Sequence, residues 1–231
     1  MRALVIETST PHASIALVEG DIISQRAFQS DRSHNALLFD PLKEMLGNSG
    51  PLDLVLVGSG PGSYSGTRVG IAAAQGVAIA MGCPAIAIPS ILAVPAAEHG
   101  AKCLAIGDAR RGSFWTAFID GLALLEPPAL CDVEELLERM TAAATENAAI
   151  FAFEDPERFP LPGELKSEIS LEFPDATRLW HAWQAADDVT RRAWSAEIPQ
   201  PLYLKPPHIT QAKPKASVPL TPSPARRPRR A

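Results

Sequence analysis

The stretch from Leu52 to Met81 constrains the fold of this chain more than any other. Leu52 to Val57 is a compact apolar run of strand length, and Gly58-Ser59-Gly60-Pro61-Gly62-Ser63-Tyr64-Ser65-Gly66 follows it with four glycines in nine residues. An Ala-rich run then continues without a breaker to Met81. Short apolar run, glycine loop and long apolar run read as strand, loop and helix, an order that belongs to α/β proteins. Val69 to Ala97 contains no charged residue, a length that could span a bilayer. Its composition is Ala and Gly rather than Leu or Phe, however, and Pro84, Pro89 and Pro95 interrupt it, so it reads as helix, strand and second helix.

Ala3–Glu7 and Ala13–Val18 read as a hairpin around Thr8-Ser9-Thr10-Pro11, whose hydroxyls and proline are turn chemistry. A helix begins near Ser33 and carries Ala36, Leu37, Leu38, Leu42, Met45 and Leu46; Pro41 must bend or restart it, and Gly47-Asn48-Ser49-Gly50 stops it. Cys103–Gly107 and Ser113–Ile119 form a second hairpin across Asp108-Ala109-Arg110-Arg111-Gly112. Ala16-Leu17-Val18-Glu19-Gly20 and Ala117-Phe118-Ile119-Asp120-Gly121 match at the corresponding place, which predicts a duplicated lobe and a junction near residue 100. Asp132 with Glu135 predicts a capped helix to about Ala144, and Pro174–Ser195 one longer helix bearing Leu179, Trp180 and Trp183. The expected organisation is a first lobe over 1–102, a second over 103–210, and a disordered, basic, proline-rich tail over 211–231.

With 231 residues, 46% of them apolar, the chain can fill such a core. Cys83, Cys103 and Cys131 are too scattered for a disulfide framework or a zinc pair, so a reducing, cytoplasmic setting is expected. Met1 to Ile6 has neither the length nor the flanks of a signal peptide and reads as a buried strand. The net charge of −5 conceals an asymmetry. The last acid is Glu197, whereas Lys213, Lys215, Arg226, Arg227, Arg229 and Arg230 follow Thr210; without these six the body stands at −11. An acidic body is a poor nucleic-acid binder alone, so RNA must be held mainly by a partner.

The Val57–Gly70 loop and helix start could cradle a phosphate, because glycines let the backbone approach an anion and a helix N-terminus offers free N–H groups. A tight structural turn fits the spacing equally. The loop lacks the Gly-Lys-Ser/Thr ending of a Walker loop and the Gly-x-Ser-x-Gly of a hydrolase elbow. Arg68 in the first helical turn opposes the macrodipole; either an anion compensates it or it is solvated. Of 15 glycines only Gly163 follows Gly121, so the second lobe lacks a loop for a base and ribose. His12, His34, His99, His181 and His208 show no metal-ligand spacing, and His34 reads as a cap or surface group.

Taken together, Leu4-Val5-Ile6-Glu7-Thr8-Ser9-Thr10, Arg32-Ser33-His34-Asn35-Ala36-Leu37-Leu38, Gly60 to Gly70, Asp108 to Gly112 and Pro201-Leu202-Tyr203-Leu204-Lys205 resemble the tRNA threonylcarbamoyladenosine biosynthesis protein TsaB family, related to TsaD. The likeness covers residues 1 to about 210. It departs from the family pattern at Glu7, where Asp is usual, at Thr67, where Leu is common, and at Ser113, where Glu is common. The resemblance implies a two-lobed actin-like ATPase (RNase H-like) α/β fold, with a mixed sheet in each lobe and a degenerate second lobe. It further implies a non-catalytic scaffold: TsaD carries metal, nucleotide and threonylcarbamoyl transfer to the adenosine beside the anticodon, TsaB binds and sustains it, and TsaE is an ATPase partner. No metal, ATP or other cofactor of its own is expected, tRNA is met through the complex, and no membrane is involved. Thr8, Ser9, Gly60, Gly62, Ser63 and Arg68 would be vestigial phosphate loops. A small ATPase or kinase on the same fold, or a glycoprotease, is the competing reading. The helices Ser33–Leu46 and Gly66–Met81 are expected to form the partner or homodimer face through Leu37, Leu38, Met45, Ile71, Ala74 and Ala78; the alternative is that they pack inside their own lobe.

Overall fold

The computed structural model describes residues 1–29, 34–47, 50–98 and 100–204, with the backbone alone over 34–36. Asn48-Ser49, the 211–231 tail, and Arg32, Ser33 and Lys205 of the family-like segments lie outside them, as do His99, His208 and the side chain of His34.

The first lobe runs β1 (Arg2–Glu7), β2 (His12–Glu19), β3 (Ile22–Gln29), α1 (His34–Leu46), β4 (Leu54–Gly58), α2 (Tyr64–Met81), β5 (Ala85–Ile88) and α3 (Pro95–Glu98). The second runs β6 (Lys102–Asp108), β7 (Phe114–Asp120), β8 (Ala123–Leu124), β9 (Ala129–Cys131), α4 (Val133–Thr145), β10 (Ala149–Ala152), α5 (Gly163–Lys166) and β11 (Ile169–Leu171). Two helices end the described chain, α6 (Ala176–Ala185) and α7 (Asp188–Ala196). The first sheet has the order β3-β2-β1-β4-β5 and the second β11-β10-β6-β7-β8, with β9 on β7. In each, an antiparallel hairpin (β1/β2, β6/β7) is extended by parallel strands (β4 and β5, β10 and β11).

The expected duplication is present down to its turn glycine. Gly20 and Gly121 both adopt left-handed backbone, at φ 62° and 56°. Each donates its N–H to the residue before the lobe's first strand, Met1 at 3.0 Å and Ala101 at 3.1 Å. A side chain is disfavoured at such φ, which is why the glycine survives in both copies of the repeat.

Five layers result. α1 and α2 cover the outer face of the first sheet in one apolar cluster, and α4 covers the outer face of the second in another. The inner faces share a third cluster, in which Val5, Ala16 and Leu56 of one sheet and Ala105, Ala117 and Phe151 of the other meet Ala176, Leu179 and Trp180 of α6. Burial of this kind contributes about 25 cal/mol per Å² of apolar surface, so the two sheets cannot be separated cheaply. The sequence boundary at 102/103 is therefore not the spatial one, because α6 and α7 pack on the first sheet. Nor is Pro174–Ser195 one helix: Ala186 leaves helical conformation, and Asp187 starts α7 by accepting from Thr190 N at 2.7 Å. α1 runs through Pro41 as a single helix. The uncharged Val69–Ala97 run holds α2, β5 and α3, and no helix among the described residues is long and apolar enough to cross a membrane.

Candidate functional site

The loops proposed as phosphate cradles, β1 to β2 and β4 to α2, lie against each other. Ser63 N donates to Ser9 O at 2.6 Å, and Thr8 Oγ1 donates to Gly66 O at 2.8 Å. Ser63 Oγ caps α2 by accepting from Gly66 N at 3.2 Å, and Ser90 Oγ accepts from Gly60 N at 3.0 Å. A Cβ on Gly62 would overlap the carbonyl of Ser9. Glycine is thus required here for one loop to approach the other, not for backbone to approach an anion. The structure brings Thr8, Ser9, Gly60, Gly62 and Ser63 together as the sequence suggests, but with the Gly60, Ser63 and Gly66 amides already donating within the protein.

Beneath this junction Glu7 is fully buried. Its Oε1 accepts from Ser9 N at 2.6 Å, and its other oxygen occupies the space a Gly58 side chain would need. Burial raises its pKa above the ordinary carboxylate range, against the lowering effect of the Ser9 hydrogen bonds.

Arg68 is engaged within the chain. Its guanidinium lies 3.3 Å from the Tyr64 ring centroid and 5.0 Å from that of Tyr203, and Nη2 donates to Tyr203 Oη at 2.6 Å. Two aromatic faces and a phenol oxygen thus provide the compensation that the helix N-terminus withholds. Tyr203 arrives on a strap after α7, pinned by Leu202 N to Ser59 O at 2.9 Å and Gln75 Nε2 to Pro199 O at 3.0 Å. Tyr64 and Tyr203 both lie within the family-like segments, but the pairing across 139 residues has no sequence signature.

Between the lobes a cavity of about 460 Å³ is walled by Tyr64, Arg68 and the strap on one side and by Asp108, Trp115 and Glu154 on the other. A neighbouring one of about 680 Å³ extends it along Ser9, Thr10 and Arg158. The second wall offers carboxylates. Glu154 stands after β10, in the position that Ser59 and Gly60 hold after β4, and its Oε2 is buried without a hydrogen-bond partner. Burial, then the charge of Asp108, pushes Glu154 up to about 7, partly offset by Arg110 and Arg158. Asp108 itself pairs with Arg110 at 3.1 Å, in a turn where Arg110 and Arg111 have φ 66° and 61°. Among the described residues no three His, Cys, Asp or Glu side chains gather as metal ligands.

The second expected site was the outer surface of α1 and α2, and four of the six residues named for it face the other way. Leu38 (0% exposed), Ile71 (5%), Ala74 (0%) and Ala78 (4%) belong to the first lobe's own core, while Leu37 is exposed and Met45 half-buried. The helix is uncharged on both sides, so periodicity could not tell them apart. The exposed side of α2 is Ser65, Ala72, Gly76, Ile79 and Ala80, with Ile79 at 82%; Phe39 of α1, at 53%, was also missed.

A family model described as TsaD, tRNA N6-adenosine threonylcarbamoyltransferase, matches residues 28–175. The uncharacterized protein Rv3421c of Mycobacterium tuberculosis H37Rv is 30% identical over 179 residues, 72% of this chain and 84% of its own. The tRNA threonylcarbamoyladenosine biosynthesis protein TsaB of Escherichia coli K12 is 30% identical over 127 residues, covering 51% of this chain and 55% of that one. YeaZ from Pseudomonas aeruginosa superimposes with a TM-score of 0.67 at 23% identity, over 88% of this chain and 99% of that chain, which shows the same two-lobed fold. With the model spanning most of both lobes and the relatives agreeing along the sequence, the chain belongs to the TsaD/YeaZ (TsaB) family.

Proposed function

We propose that the chain is a non-catalytic scaffold in the formation of threonylcarbamoyladenosine in tRNA, binding a TsaD-type catalytic subunit through the outer face of its first lobe and leaving nucleotide, metal and group transfer to that subunit and to a TsaE-type ATPase. The observation that carries this reading is the exposed side of α2. Ser65, Ala72, Gly76, Ile79 and Ala80 have no charge among them, and Leu37 and Phe39 are exposed on α1, which packs over the same sheet face. Small residues let another helix come close, and an uncharged helix face left in water is stabilised by a partner. The names of the relatives supply the process, since the E. coli and Haemophilus influenzae proteins are threonylcarbamoyladenosine biosynthesis proteins.

The interlobe loops support the division of labour. Amides that could hold a phosphate donate to Ser9 O, Ser63 Oγ and Ser90 Oγ, and the cations of the opposite wall, Arg110 and Arg158, lie beside the carboxylates of Asp108 and Glu154. An ATPase reading would need those bonds opened. In the absence of TsaD the same face would pair with a second copy of the chain.

Ile79→Arg tests the reading because the side chain is almost fully in water. The variant should fold as the wild type does but fail to co-purify with the organism's TsaD-type subunit and fail to restore modified tRNA. Normal binding by Ile79→Arg and by Phe39→Arg would place the interface elsewhere.

A further inference from the structure

The interlobe cavity has features that the scaffold reading leaves unused. Its Glu154 carries a buried oxygen with no hydrogen-bond partner, beside the carboxylate of Asp108, and Tyr64, Tyr203 and Trp115 supply aromatic walls. Carboxylates backed by aromatic faces suit an organic cation, which is attracted by both. Of the cations around it, Arg68 is held between two tyrosines, Arg110 bonds Asp108, and Arg158 lies near Glu154 without a hydrogen bond to its unpartnered oxygen.

The chain supplies a candidate occupant. Pro201, Leu202, Tyr203 and Leu204, the last described residues, are themselves part of the cavity wall, so the chain continues into residue 205 from the cavity's rim. No acid occurs in those residues, and the nearest cations after Lys205 are Lys213 and Lys215. Nine residues from Leu204 to Lys213 reach at most about 30 Å, which allows a return into a cavity at the point of departure. A short tether gives such a group an effective concentration on the order of millimolar. Charge favours the same pairing, since the body without the tail cations stands at −11.

We propose that the interlobe cavity is a docking site for the chain's own basic tail, with Lys213 or Lys215 seated against Glu154 and Asp108. The cleft that holds nucleotide in an active two-lobed enzyme would here hold a tethered cation, and the tail would be withheld from polyanions until released. This does not depend on which partner covers α2.

Zero-length carbodiimide coupling, which joins a lysine amine to a carboxylate, tests it on the full chain at low ionic strength and low protein concentration. Peptide mapping should place Lys213 or Lys215 on Glu154 or Asp108 within monomeric protein, with the yield falling as salt rises. Links scattered over exposed acids such as Glu134 and Glu138, or confined to cross-linked dimers, overturn the proposal. A second measurement uses only tail substitutions. The Glu154 carboxyl, followed by NMR in full-length protein, should titrate about one unit or more higher in Lys213→Ser/Lys215→Ser than in wild type, because a nearby cation favours the carboxylate. Equal midpoints in the two proteins overturn the proposal as well.

Discussion

α2 and α4 are the principal outer helices of lobes that share one topology, and they are finished differently. α4 exposes Glu134, Glu135, Glu138, Thr141, Ala142 and Thr145 and buries Leu136, Met140 and Ala143, the arrangement of a helix that meets water on one side. α2 buries Gly70, Ile71, Ala74 and Ala78 and yet exposes only uncharged groups over its last three turns. The crossovers differ as well. β4 reaches β5 through a glycine loop and the 18 residues of α2, whereas β10 reaches β11 through a 3-10 turn and the four residues of α5. The second lobe closes its core and ends in solvent. The first lobe keeps an uncharged helix face outside and a hydrogen-bonded loop junction inside, the features on which the proposed scaffold role rests.

The comparison breaks most visibly if α2 tolerates charge on its inner side. Ala74→Arg should destabilise by more than about 4 kcal/mol, because a cation without a partner enters a packed core. Ile79→Arg should stay within about 0.5 kcal/mol of wild type, as surface changes do, and so should Glu138→Arg on α4. Urea melts of the three variants make the test. Binding sharpens it further: of the two surface variants only Ile79→Arg should lose the TsaD-type partner.

The loop junction comes next. Gly62→Ala drives a methyl into the Ser9 carbonyl and should cost about 2–4 kcal/mol, whereas Gly163→Ala, with nothing within 4 Å of its new Cβ, should be close to neutral. Equal melting temperatures for the two would mean that the first-lobe loops are not locked.

Glu154 gives a smaller, pH-dependent effect from the second wall. Its folded pKa of about 7 stands above the 4.5 of an unperturbed glutamate. Between those values the folded protein holds a proton that the unfolded chain has released, so this group's contribution falls as pH rises, and the full penalty, at most about 3 kcal/mol, is present above pH 7. Glu154→Gln should therefore be more stable than wild type by about 1–3 kcal/mol at pH 8, in high salt that releases the tail, and equal to it near pH 4.5. A constant difference across that range would mean that the effect is not one of protonation. The smallest change is expected in the β6–β7 turn, where Arg111→Gly relieves a left-handed side-chain residue at φ 61°. It should raise the melting temperature slightly, by about 0.5 kcal/mol after the glycine's entropic cost, and a loss of stability would mean that Arg111 makes a contact worth more than the strain.

Much of this architecture was legible in the residues. Apolar runs of strand length marked the two hairpins and β4, the glycine loop placed α2, and Ala16–Gly20 matched against Ala117–Gly121 revealed the duplication, because each is a local signal carried by consecutive side chains. β3 was missed since its Ile22–Gln29 alternates too weakly to declare a face, and β10 and β11 since three or four residues of strand give periodicity little to register. The break between α6 and α7 was hidden by Ala186 and Asp187, either of which a helix can contain.

The site divides along the same line. Sequence by itself determined that a glycine loop would precede a helix and that the histidines lack metal-ligand spacing, since both are matters of short-range order, while the grouping of Thr8 and Ser9 with Ser63 came from the family resemblance. Only the tertiary structure decided that Ser63 N would bond Ser9 O, that Arg68 would lie between Tyr64 and Tyr203, that α6 would pack on the first sheet, and that Ala74 and Ala78 would face inward. Each of these depends on which of several chemically equal surfaces another part of the chain covers. A helix of Ala, Gly and Ile presents the same hydrophobicity all round, so its inner side is chosen by the sheet it meets and not by its own residues.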